Sequence, residues 1–64
     1  LPLSTELFDK FSRFQDFKEY IEKQFVEYKL AKNNWNVSKT ADEIDIQRSH
    51  LYNKIEKFSL KRES

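Results

Sequence analysis

The sequence predicts an all-α fold, a small helical bundle, on three observations. Gly is absent and Pro occurs once, at position 2, so helix breakers are missing from nearly all of the 64 residues. Apolar residues recur at spacings of three and four along most of the chain, the period of a helix with one buried face. Near the end, two short apolar groups, Val37-Ala41-Ile44 and Leu51-Ile55-Phe58, flank the polar corner "DIQRS", too short for a domain linker and too polar for a core.

Size and composition set the bounds on function. Sixty-four residues make one small domain, near the size at which a single core is only marginally stable. With no Cys, neither a disulfide nor a thiolate zinc site can staple it, and one His does not make a clustered metal site. No metal or other cofactor is expected, and oligomerisation is the remaining source of buried area. No run approaches 18 consecutive apolar residues and no charged-then-apolar leader opens the chain, so a cytoplasmic protein without a membrane partner is expected. The absence of an initiator Met suggests a piece of a longer chain. Net charge is +1, but unevenly spread: residues 1–32 balance, residues 33–45 carry −2 and residues 46–64 carry +3.

The elements follow in order. Residues 1–11 read as a linker or a short amphipathic helix, with Leu3, Leu7, Phe8 and Phe11 as its apolar positions. "SRFQ" reads as a capping box, Ser12 as N-cap and Gln15 at the third helical position. From there a long helix, within a segment 12–34, should run to about Lys32 and end at "KNN", whose Asn residues favour helix exits.

That helix carries two apolar faces. At 100° per residue, Phe14, Phe17, Ile21, Phe25 and Tyr28 fall within about 80° of one another, while Val26 and Leu30 point nearly opposite. Two stripes imply two partners, one within the chain and one in a second copy. The aromatic stripe is the expected dimer interface, because large aromatics supply the apolar area a small interface needs. The competing reading folds residues 1–11 back over this stripe within one chain.

Segment 36–60 is the corner. Asn36 should cap a helix from Val37 to about Ile44, with small Ala41 on its inner side. Ile46 dips into the core, and a second helix runs from about Arg48 to Lys57 with Leu51, Ile55 and Phe58 inward. Ser49, His50, Asn53 and Lys57 then project outward, with Arg48 and Tyr52 at one edge and Lys54 at the other. A helix held from behind by a shorter one, with hydrogen-bonding side chains on its free face, is the layout of a helix-turn-helix. Residues 61–64 form a basic tail.

At these residues the chain resembles a known family. "NVSKTADEIDIQRSHLYNKIEKF" (Asn36 to Phe58) is similar to the Fis-type helix-turn-helix that ends the NtrC-like, sigma-54-dependent transcriptional activators of bacteria. The matching features are Asn36-Val37-Ser38, Thr40-Ala41, Ile44, Ile46, Arg48, Leu51-Tyr52, Lys54 and Ile55, with "EKQFVEYKLAKNNW" upstream. The resemblance implies a Fis-like symmetric homodimer joined through its first helices, with Val26 and Leu30 packed against the corner. It implies sequence-specific binding of double-stranded DNA, with an ATPase domain of the activator in the same full-length chain. Three positions depart from the family: Asp45 stands for the usual turn Gly, Ser59 for a second Gly, and Gln47 for a Ser or Asn cap.

Candidate contacts follow from residue chemistry. Arg48 can read guanine or hold a phosphate, Asn53 can read adenine, and the Gln47 amide suits either adenine or a phosphate. His50 can hydrogen-bond a base or, protonated, a phosphate, and Tyr52 can reach a phosphate. Ser38, Lys39, Lys54, Lys57 and Lys61 suit backbone contacts, Ser49 faces outward with them, and Asn36 divides its work between cap and phosphate. Glu56 would repel phosphate. Trp35 is expected to pack under the inter-helix turn. No acid–base pair, nucleophile or phosphate-cradling Gly loop points to an enzyme. The alternative function is a helical protein-interaction module using the aromatic stripe.

Overall fold

The computed structural model describes residues 5–62, which form four helices: α1 (Thr5–Asp9), α2 (Phe14–Lys32), α3 (Val37–Glu43) and α4 (Arg48–Lys57). Leu3 of the expected first element and Glu63 and Ser64 of the tail lie outside the described residues.

α1 buries none of its residues, but the aromatics at its end dock on α2. The Phe8 and Phe11 rings lie 5.6 Å from Phe17, and Phe11 lies 5.2 Å from Tyr20. Residues 5–11 therefore cover one flank of the aromatic stripe and leave Phe14 (80 % exposed), Phe25 (49 %) and Tyr28 (64 %) open to solvent.

α2 begins later than the capping box requires. Its N-cap is Arg13, in extended conformation and without a side-chain cap bond. Ser12 thus stands outside the helix, and Gln15 falls at the second helical position, too early to close a box. Gln15 instead donates from Nε2 to Glu19 Oε2 at 2.8 Å, one turn on. Asp16 in the first turn supplies the favourable charge against the helix dipole.

The core lies between the second half of α2 and the two short helices. Val26, Leu30, Ala41, Leu51 and Leu60 are buried, with Trp35, Val37, Ile46, Ile55 and Phe58 packed around them. Leu30 and Leu51 are wholly inaccessible, each contributing about 1.5–3 kcal/mol by the area it hides. Ala41, also inaccessible, leaves room for α4 to cross α3 closely.

All three longer elements end in the same way. After α2, the Asn34 amide donates to Ala31 O and the Trp35 amide to Leu30 O. After α3, Asp45 donates to Asp42 O and Ile46 to Ala41 O; after α4, Ser59 donates to Glu56 O and Leu60 to Ile55 O. These are Schellman closures, whose turning residue takes a left-handed backbone, usually as Gly. Here Asn34, Asp45 and Ser59 hold it, at φ 55°, 59° and 53°. Asp45 and Ser59 occupy the two positions where the resemblance leads one to expect Gly. The apolar residue that follows each turn, Trp35, Ile46 or Leu60, is carried onto the core. Trp35 itself has φ 61°, a costly conformation for a bulky side chain that its packing holds in place.

Candidate nucleic-acid interface

The outer surface of α3 and α4 gathers most of the expected contact residues. Asn36 Oδ1 accepts from the Lys39 amide at 3.0 Å, so the cap fixes the first turn of α3 and with it Ser38 and Lys39, both exposed. Gln47 caps α4 through its extended backbone alone, with no side-chain bond. Across the turn, Arg48 Nη1 donates to Ser38 Oγ at 3.2 Å, which brings the beginnings of the two helices to one place.

Along α4, Ser49, His50, Tyr52 and Asn53 are exposed, Tyr52 at 57 %. Helical geometry places Arg48 and Tyr52 on the edge nearest α3, Ser49 and Asn53 on the outer arc, and Lys54 on the edge nearest α2. Glu56, also exposed, shares the outer arc.

Two of the candidate lysines are held elsewhere. Lys54 Nζ meets Glu22 Oε1 at 2.6 Å, with both side chains about three-quarters covered. Lys57 Nζ lies 3.5 Å from Glu19 Oε2, more openly, and 5.3 Å over the Phe58 ring. The Lys54 ammonium, hydrogen-bonded to Glu22, holds that carboxyl below its ordinary range against the opposing effect of burial. Gln15, then Lys57, do the same for Glu19. Lys61 is exposed and sits beside Arg62, Trp35, Asn34, Glu27 and Ala31 in a small cleft at the far end of α2.

Behind the surface, Asn33 fastens α3 to α2. Its Nδ2 lies within bonding distance of Lys29 O (3.1 Å), Thr40 Oγ1 (3.2 Å) and Glu43 Oε1 (2.9 Å). Thr40, fully buried, donates in turn to Asn36 O at 2.8 Å. The Asn33 amide holds the Glu43 carboxyl below its ordinary range. On the sequence alone Asn33 is a helix-ending residue and Glu19 a polar flank, and Leu60 and Glu22 carry no role. An apolar residue right after a left-handed turn could have found Leu60.

On the other side of α2, Phe14, Phe17, Ile21 and Phe25, with Lys18 and Glu22, line a shallow apolar groove of about 390 Å³. Tyr28 continues the stripe beyond it, exposed. No helix among the described residues is long and apolar enough to cross a membrane. No group of three or more His, Cys, Asp or Glu among them could hold a metal ion.

Comparison with protein families finds a match over residues 18–58, 41 of the 64, to the family described as "Bacterial regulatory protein, Fis family". Comparisons with curated proteins and with solved structures return no match.

Proposed function

We propose, since the chain belongs to the Fis family of bacterial regulatory proteins, that it binds double-stranded DNA through α4, reading sequence as a symmetric dimer. The observation that carries this reading is that the family match spans both helices of the corner and the α2 half that packs behind them. Arg48, Ser49, His50, Tyr52 and Asn53 meet the major groove, and Ser38 and Lys39 meet the flanking phosphates. Asn36 and Gln47 serve first as helix caps. Lys54 and Lys57 reach phosphate only by leaving their carboxylates.

With a net charge of +1, each half-site contact is weak, and pairing two of them raises the apparent affinity without a new contact. The groove of Phe14, Phe17, Ile21 and Phe25, continued by Tyr28, is the surface that joins the copies. The resemblance to NtrC-like activators extends the proposal: the domain tethers a sigma-54-dependent ATPase near a promoter, in the cytoplasm.

Selection from a random duplex pool at low salt, with sequencing of the bound fraction, tests this. Enrichment of an inverted repeat is the expected result. Salt-sensitive retention without enrichment would reduce Arg48 and Asn53 to phosphate contacts. Absence of retention would overturn the reading in favour of a protein-interaction module acting through the exposed aromatic groove.

A further inference from the structure

We propose that Glu22, assisted by Glu19, is a positioning residue that fixes the angle of α4 against the groove-bearing half of α2. The functional consequence rests on the DNA-binding reading; the positioning itself does not.

The stripe of α2 that faces α4 changes character along its length. Leu30 and Val26 are its buried apolar members, and both lie in the second half. One and two turns toward the N-terminus, the same stripe presents Glu22 and Glu19. Opposite them, α4 presents Lys54 and Lys57 at matching three-residue spacing, at 2.6 and 3.5 Å. Along α2 the seam is therefore greasy at one end and ionic at the other. The Glu22–Lys54 pair is short, charge-assisted and mostly shielded from water, the kind that holds a geometry. Glu22 also lines the apolar groove beside Phe17 and Ile21. The same pairs withhold two cations from phosphate.

The chain has no Cys, so paired spin labels at Gln24→Cys and Glu56→Cys, diluted with unlabelled chain, report the distance from α2 to α4 within one copy. Glu22→Gln should broaden that distribution while circular dichroism stays helical, and the swap Glu22→Lys with Lys54→Glu should narrow it again. An unchanged distribution in Glu22→Gln would overturn the proposal. On a random-sequence duplex, unlabelled Glu22→Gln should steepen the salt dependence of binding by about one unit as Lys54 is freed. Broadening without any duplex retention would leave the positioning role standing and remove the DNA-binding reading.

Discussion

Arg48 Nη1 donates to Ser38 Oγ at 3.2 Å, joining the first turn of α4 to the first turn of α3. Both side chains are exposed, so the bond contributes little to stability. On the DNA-binding reading, a guanidinium already held in place has a lower ordering cost on binding. Arg48→Ala should cost roughly 1–3 kcal/mol on the selected duplex if Arg48 reads a base. Ser38→Ala, which leaves the guanidinium present but unheld, should cost less. Affinities on selected and scrambled duplexes decide the role: an equal loss on both makes Arg48 a phosphate contact.

The three helix exits offer a stability test without touching the surface of α4. Ser59 holds φ 53°, where a Cβ is unfavourable and Ser lacks the tolerance of Asn or Asp. Ser59→Gly removes that crowding but frees the unfolded chain, and the balance should be a gain of about 0.5–1 kcal/mol. At Asp45, φ 59°, the gain should be smaller because Asp visits this region more readily. Urea midpoints with unchanged slopes would confirm both, and a lower midpoint for Ser59→Gly would show that its hydroxyl contributes more than the backbone relief.

These exits also show what was legible beforehand. The corner could be read because its determinants are local: the Asn36 cap, Ala41 inside, and Leu51, Ile55 and Phe58 at spacings of four and three. Val26 and Leu30 stood apart from the aromatic stripe by angle alone. At the start of α2 "SRFQ" satisfies the capping pattern, yet Arg13 is the N-cap and makes no side-chain cap bond. Lys54 reads from the sequence as a DNA-backbone contact, and its partner Glu22, 32 residues away, lies beyond any spacing rule. Asn33 is the same case, a turn residue by composition and a buried junction by tertiary contact.

That junction predicts how the fold responds to substitution and acid. Asn33→Leu would leave the buried Thr40 hydroxyl oxygen and the Glu43 carboxylate without their side-chain donor, and should cost roughly 1–3 kcal/mol in a thermal or urea melt. Glu43, Glu22 and Glu19 all titrate below the ordinary value of 4.5 in the folded chain. The unfolded chain therefore takes up their protons first, so their contribution is complete above about pH 4.5 and is lost as the pH falls below it. Melts across that range should show the loss, and in Asn33→Leu it should be shallower, because the first cause of the Glu43 shift is gone.

The groove on α2 yields the prediction on assembly. Phe25, half exposed, lines its C-terminal end, with Lys29 Nζ 5.6 Å from the ring one turn on. Phe25→Asp places a carboxylate four residues before that lysine, a pairing that supports a single helix. The monomer should therefore remain folded, while a charge on a dry aromatic surface is strongly unfavourable for association. Sedimentation should show a dimer become a monomer with the helical signal unchanged, and affinity for an inverted repeat should fall further than affinity for one half-site. If sedimentation does not change, the copies do not meet through Phe14, Phe17, Ile21 and Phe25. A dimer would then have to be sought on another face, and the exposed aromatics would belong to a different protein's helix.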